Sequence, residues 1–449
     1  MESRIRTFTY ADGSIQRVQA VELPGPASLS FLHPAPAPEG FERVVRLYRS
    51  YAVPRAPYIF DRMVLFRLPE GASVPFPAET KHYGCLHTPL ARAAAGLRQS
   101  VRIVRDKPVF ANEEAARFWA FLEERGCLEV VSGLLPGTSV LPVSDRAGLL
   151  SRSAPEAPVK ANLSFFTMDK FDVCSVYDAI GTPIGLRVKN GLVESPPLFM
   201  REALLFDRQG AARIAVPKLT ELTVTLNGTE YRHGRNAVFY ERPACHRTPK
   251  TTGTDLVIIE DTVAAVHPGG HTSVPGAGFV LCTEKTAARP GDKVGYGGME
   301  DILFGVQVGN SAVVNGVPAK EFTSPFYNIK APFSVAFPPS LYPLDFKHAR
   351  APRMALGVSA SGAPLLIWAE GPGKLGYAKG TDSRGASLTE MGVLCREMGM
   401  INGVNLDGGG SAQLLVNGKR SLLISDRSPD NAELERAVPT GLCVAPPQP

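Results

Sequence analysis

Nothing in the 449-residue sequence approaches the ~20 consecutive apolar residues that a membrane helix needs. There is no C-x-x-C pair. The seven cysteines (Cys85, Cys127, Cys174, Cys245, Cys282, Cys395 and Cys443) are scattered and odd in number, which argues against a disulfide framework. Charge of one sign is scarce too. A net +5 over the whole chain is too weak for a nucleic-acid surface, though compatible with a small anionic substrate. No internal repeat, heptad run or low-complexity tract stands out. The opening MESRIRTFTYADGS carries charges but no apolar stretch, so no secretory signal is expected there. Reduced thiols and a cytoplasmic location are the corresponding expectation.

Hydrophobic residues make up 44% and charged residues 20%, enough apolar surface for a real core, which excludes disorder as the dominant state. The 43 glycines and 39 prolines point to many turns and a strand-rich chain. The first forty or so residues, with LPGPAS and HPAPAPEG, read as an extended, proline-punctuated arm. Residues 58–70 read as a mostly buried strand ending in a turn. Residues 112–125 read as an amphipathic helix capped by Asn112 and stopped by Gly126. Residues 133–158, rich in Gly, Pro and Ser, are the best linker candidate. The chain therefore divides into residues 1–158, an accessory region or an insertion-bearing start of the core, and a main domain over 159–445.

From about residue 159 the texture changes. Four Asn-Gly dipeptides, at 190–191, 227–228, 315–316 and 417–418, sit between alternating or apolar runs. Asn-Gly supplies the two positive-φ residues of a type I′ turn, so each predicts a hairpin. A fifth, Asn402-Gly403, follows a helical stretch and is assigned to that helix's exit. The helix, 387–399, has Ser387 as N-cap, Glu390 as capping-box partner and Gly399 as stop. It leads through INGVNL, a short strand candidate. The fold class expected is α+β, with hairpin-rich mixed or antiparallel sheets and few helices.

The densest chemical signal is Asn405-Leu406-Asp407-Gly408-Gly409-Gly410-Ser411. Three successive glycines after a strand cost backbone entropy. A need for positive φ or for close approach by a ligand would explain them, and their amides could form an anion-binding concavity beside the Ser411 hydroxyl. Asp407 sits at the strand end, where a carboxylate is both fixed and reachable. The alternative is a tight turn in which Asp407 bonds local amides. Metal ligation has weaker support: His267 and His271 are four apart on a Pro-Gly-Gly segment, and His82, Cys85 and His87 lack a distant partner pair. No metal ligand is assigned and no cofactor is expected; metal dependence is left open.

The stretch resembles the phosphodiester glycosidase family. That family's pattern runs S-x-G-x-S/T-x-x-E, then N-L-D-G-G-G-S, then a late E-R-x-V. Ser383, Gly385, Ser387 and Glu390 match the first part, and Glu435, Arg436 and Val438 the last. Upstream, residues 353–357 resemble its R-T-A-I-G strand, 161–166 its A-x-N-G-G-F-F opening, and 181–185 with 190–191 its G-x-P-x-G…N-G hairpin. The order is kept over about 159–445. Two departures stand out: Glu370-Gly371-Pro372 replaces Asp-Gly-Arg, and Leu163 and Ser164 replace the two glycines after Asn162.

The resemblance implies hydrolysis of a glycosyl-1-phosphodiester. The missing signal suggests that the small-molecule sugar phosphodiester or nucleotide sugar is intracellular, and the weak charge and lack of a long apolar run leave neither nucleic acid nor membrane as an expected partner. Cleaving the sugar C1–O–P bond develops oxocarbenium character at C1 while phosphate leaves. Asp407 is then the nucleophile or base and Glu390 the second carboxylate. Arg353 and Arg384 grip the phosphate. Glu370, Asn162, Asn405, Gly408, Gly409, Gly410, Ser411 and Arg436 complete the substrate-binding set. Each has a plainer reading: Glu390 as a capping-box acid, Arg353 and Arg436 as structural ion-pair residues, Arg384 as a solvated loop charge, Glu370 at a solvent-facing turn, and Asn162 as a loop tie. Two rival functions remain: transfer of the sugar to an acceptor other than water, and sugar-phosphate binding without turnover.

Overall fold

All four predicted Asn-Gly turns form, and for the predicted reason. Asn190, Asn227, Asn315 and Asn417 have φ of 52, 49, 50 and 49°, and the glycine after each lies between 75 and 81°. The computed structural model describes residues 3–34, 43–49, 58–76, 79–80, 84–85, 89–104, 107–136, 147–167, 175–179, 181–242, 244–319, 350–373, 377–427 and 431–445. His82 and His87 lie outside them, as do residues 137–146 of the expected linker.

The centre is a seven-stranded antiparallel sheet. Its strands run in the spatial order Ser3–Thr9, Ile15–Glu22, Pro364–Ala369, Arg353–Ser359, Met400–Asn405, Ser311–Val314 and Val317–Pro318. A four-stranded sheet joins Leu414–Val416, Val159–Asn162, Gly441–Val444 and Leu29–Leu32. A five-stranded sheet spans residues 187–306, and two smaller ones, within residues 223–297, pack on a core of their own. Sheets dominate and helices are few, as the turn chemistry requires.

The expectation of an extended arm at the start is overturned. Residues 3–9 and 15–22 form a hairpin that joins the central sheet, with Val18 opposite Ala369, and 29–32 pairs with 441–444. The prolines lie outside these strands, and residues 18–21 of the second strand are all buried. Asn402-Gly403 is likewise no helix exit, because both residues lie inside the Met400–Asn405 strand. Glycine is needed there for close approach: a Cβ on Gly403 would lie 2.3 Å from Met400 Sδ and 2.9 Å from the Leu356 carbonyl. The linker expected at 133–158 begins with a strand end at 133–136 and includes the buried Ala147, Leu149 and Leu150.

Every residue of the Arg353–Val358 run is buried because both faces of the sheet are covered. Met354, Leu356 and Trp368 join the main core with Leu204, Phe206 and Leu414, while Ala355 and Ile367 meet Met391, Leu394 and Cys395 of helix Leu388–Glu397. Large apolar side chains buried in this way stabilise by roughly 1.5–3 kcal/mol each. The helix starts with the predicted capping box of Ser387 and Glu390, and Gly399 follows its end at φ 95°. The helix at Glu113–Glu124 is capped by the Asn112 side chain, which accepts from the Ala115 amide at 2.8 Å. It belongs to a separate module with strands 43–49, 58–66 and 128–136 and a core around Phe118, Trp119 and Leu122.

Candidate active site

One end of the central sheet gathers the polar side chains. The antiparallel register puts Arg17, Arg353 and Glu370 there: Arg353 opens its strand opposite Ala369, Glu370 follows Ala369, and Arg17 precedes Val18. Asn405, opposite Ala355, brings the 405–411 loop to the same end. The 382–387 segment lies across it, bridging Ile15 to Ser383 and Ala351 to Ala386, before the helix begins.

Asp407 is buried, with 7% of its surface exposed. Its backbone is held by neighbours: its amide donates to the Leu163 carbonyl at 3.0 Å, and its carbonyl accepts from Asn162 Nδ2 at 2.7 Å. Its carboxylate is hydrogen-bonded by Ser411 and by the Gly408 amide. Behind Ser411, Arg436 Nη1 donates to the Ser411 hydroxyl at 3.3 Å, and the Arg436 guanidinium grips the fully buried Asp426 through Nε at 2.9 Å and Nη2 at 2.8 Å. Burial raises the Asp407 pKa to about 6, against the opposing pull of Ser411, Arg436, the Gly408 amide and Arg353. Oδ2 of Asp407 has no hydrogen-bond partner among the described residues.

The three glycines are required for three different reasons. At Gly408 a Cβ would stand 2.9 Å from the Pro352 carbonyl. At Gly410 it would overlap the Arg436–Asp426 pair, 2.0 Å from Arg436 Nη2. Gly409 has φ 59° and open space where a side chain would be. The amides of Gly409, Ser411 and Ala412 are committed to the carbonyls of Pro352, Gly408 and Gly409. The expected concavity of consecutive free amides therefore does not form: close packing at Gly408 and Gly410 and the positive φ of Gly409 account for the glycines.

Asn162 is a tie rather than a free ligand: besides the Asp407 carbonyl, it accepts the Gln413 amide at 3.1 Å. Asn405 Nδ2 donates to the Asn310 carbonyl at 3.0 Å. Arg353 is buried beside the loop, and its Nε donates to the Ala386 carbonyl at 3.0 Å.

Glu390 and Glu370 belong to a second group. Glu390 completes the capping box by accepting from the Ser387 amide at 2.9 Å and is bridged by Arg350 at 2.9 Å and Arg384 at 2.7 Å. These hydrogen bonds and charges outweigh its partial burial and hold its pKa below the usual carboxylate range. Arg384 also lies over the Tyr10 ring, 3.3 Å from its centroid. Glu370 does not face solvent. It is 2% exposed and accepts from Arg17 Nη1 at 2.7 Å, the Ser383 hydroxyl at 2.5 Å and the Leu423 amide at 2.8 Å. A guanidinium thus stands beside Glu370, supplied by the first hairpin rather than by the residue after Gly371. Sequence reasoning missed Arg17 and Asp426. Neither carries a local signal, since each matters only through a partner, 353 residues away for Arg17 and across a loop for Asp426.

The phosphodiester glycosidase family model matches residues 257–445. The mouse N-acetylglucosamine-1-phosphodiester alpha-N-acetylglucosaminidase is 35% identical over 104 residues, 23% of this chain and 19% of that protein. The human protein of the same name is 35% identical over 97 residues, 21% and 17% of the two chains. The chain thus spans about a fifth of the length of these relatives. The solved catalytic domain of the zebrafish protein of that name aligns at 14% identity and a TM-score of 0.35, covering 72% of this chain and 80% of that one. Residues 257–445, which the phosphodiester glycosidase family model matches, hold Arg353, Glu370, Glu390, the Asp407–Ser411 loop and Arg436.

Proposed function

We propose that the chain hydrolyses a glycosyl-1-phosphodiester to free sugar and a phosphomonoester. The observation that carries this reading is the Asp407 carboxylate, buried at a strand end beside Arg353 and held through Ser411 by the Arg436–Asp426 pair. A base is most effective when its pKa lies near the working pH, and about 6 satisfies that. Asp407, ionised at neutral pH, takes a proton from the attacking water as oxygen bonds to C1 and the C1–O bond to phosphate breaks. The leaving phosphate is a weak base and needs no strong general acid. One reacting carboxylate therefore suffices, and Glu390 is better suited to fixing Arg350 and Arg384. Arg353, whose charge already acts on Asp407, supplies positive charge for the diester.

The test is a mass-spectrometric assay of the purified protein against a panel of glycosyl-1-phosphodiesters, nucleotide sugars included, beside Asp407→Asn. Free sugar released by the wild type and lost in the variant is the expected result. Appearance of a new glycoside when simple alcohols are added would instead assign the site to transfer. Binding without turnover across the panel would remove the hydrolase reading.

A further inference from the structure

The sheets within residues 223–297 supply none of the groups assigned above, yet one of their side chains reaches back toward the Asp407 loop. We propose that Glu241, the last residue of the Val238–Glu241 strand, is a positioning residue for Asp407. It pins the turn at Phe199 and Met200, through which Arg201 and Phe165 brace the segment that holds the Asp407 backbone. The catalytic consequence of this clamp rests on the glycosidase reading. Glu241 and the turn both lie outside the residues that the family model matches.

The backbone of this turn is unusual. Phe199 and Met200 have φ of 65 and 46°, the one place among the described residues where two successive non-glycine residues are left-handed. Such a conformation disfavours bulky side chains and persists only where the surroundings over-determine it. Here three hydrogen bonds do so. Glu241 Oε2 accepts the Phe199 amide at 2.9 Å. Gln307, 1% exposed, accepts the Leu198 amide through Oε1 at 2.9 Å and donates from Nε2 to the Arg201 carbonyl at 2.9 Å. The Phe199 side chain is buried in the core of the 223–297 sheets. Desolvation raises the Glu241 pKa to about 7 against the pull of the Phe199 amide, so the carboxyl is held in place although burial disfavours its charge.

The turn delivers Arg201 and Glu202 to the end of the fold that carries Asp407. The Arg201 guanidinium lies over the Phe165 ring, 5.2 Å from its centroid, within cation–π range. Phe165 packs against both the main core and the core of the 223–297 sheets. Two residues before it, the Leu163 carbonyl accepts the Asp407 amide at 3.0 Å. Along a second route, Glu202 Oε2 accepts the Ser311 amide at 2.7 Å, and the neighbouring Asn310 carbonyl accepts the Asn405 amide at 2.9 Å. The turn is therefore tied twice to the strand end that leads into Asp407. Release of Glu241 loosens both ties without touching Asp407 itself. For a carboxylate that must meet water and C1 in one geometry, a displacement of about 1 Å costs on the order of a hundredfold in rate.

The experiment compares wild type, Glu241→Gln, Glu241→Ala, and Glu241→Ala combined with Met200→Gly, each checked by thermal melting. Glycine adopts positive φ without strain, and Met200 is 45% exposed, so its truncation removes little packing. Two readouts are followed. One is the rate of tryptic cleavage after Arg201, a buried site in the wild type. The other is kcat and KM on the best substrate of the glycosyl-1-phosphodiester panel. Glu241→Ala should speed cleavage roughly tenfold through the lost hydrogen bond and lower kcat roughly ten- to hundredfold with KM little changed. Glu241→Gln, which keeps an acceptor for the Phe199 amide, should stay near wild type on both. Met200→Gly should restore both in the alanine background. A merely structural loss would lower the melting temperature without this split or this rescue. Unchanged cleavage and kcat in Glu241→Ala, or losses that Met200→Gly does not restore, would overturn the assignment. If the wild type turns over no substrate the hydrolase reading fails, and the cleavage rates alone still decide whether Glu241 holds the turn.

Discussion

A carboxylate whose pKa rises on folding leaves a thermodynamic trace as well as a catalytic one. Asp407 moves from 3.8 to about 6. The folded state therefore binds this proton more tightly than the unfolded chain does. The resulting stabilisation is complete below pH 3.8 and is lost as pH rises through about 6. At 1.36 kcal/mol per unit the loss approaches about 3 kcal/mol. Asp407→Asn removes the titration, so urea melts at pH 4 and pH 8 should differ less for the variant than for the wild type, by up to that amount. The same substitution should abolish turnover, and wild-type kcat should rise along an acid limb centred near pH 6. Glu390 is the control. Glu390→Gln keeps an acceptor for the Ser387 amide but loses the charge that Arg350 and Arg384 share. A stability loss of about 1 kcal/mol and a modest fall in rate are expected. A drop in kcat as deep as that of Asp407→Asn would return Glu390 to the role of second reacting carboxylate.

At the scale of the element, the loop after the Met400–Asn405 strand makes neighbouring glycines unequal. Gly410→Ala drives a methyl into the buried Arg436–Asp426 pair. It should cost about 3 kcal/mol or more, because a buried ion pair tolerates little displacement. Gly409→Ala meets no atom within 4 Å and pays only for its positive φ, about 1–2 kcal/mol. Thermal melts of the two variants read the difference directly. A Gly409→Ala that folds well but turns over poorly would mark the open side of Gly409 as the path of approach. Both glycines look alike in the sequence, and this is where its legibility ends. The turns at Asn190, Asn227, Asn315 and Asn417 and the caps at Asn112 and Ser387 were readable because their causes are local: φ at one or two residues, or a side chain reaching three residues on. Asn402-Gly403 has the same local chemistry, but tertiary packing against Met400 and Leu356 overrides it. Arg17 next to Glu370 was not readable at all, since pairing across 353 residues is chosen by sheet register rather than by spacing.

For the whole molecule the decisive contrast lies within the first 158 residues. Residues 3–32 supply three strands to the central and four-stranded sheets, and with them the arginine that partners Glu370. Arg17→Ala leaves that buried carboxylate without its cation. The expected destabilisation is about 2 kcal/mol, below the full cost of breaking a buried pair because Arg17 itself is one-third exposed. The module over 43–136 forms its own ladders and its own core around Trp119 and Leu122. The two ends flanking this stretch come back together: Leu32 and Leu150 pack in one cluster, and both approach Gly441. A short Gly-Ser linker replacing residues 36–146 therefore has little distance to span, and loop-closure entropy grows only slowly with length in any case. The excised protein should fold cooperatively and keep the Asp407 centre, losing among the described residues the Arg152–Glu129 ion pair that ties the module to the core. Removal of residues 1–34 should instead expose the Pro364–Ala369 and Gly441–Val444 strand edges and yield insoluble chain. Cooperative urea unfolding of the first deletion and none of the second would establish that the core begins at the first hairpin and is interrupted by the module. Loss of cooperative folding in both would make residues 43–136 part of the core itself.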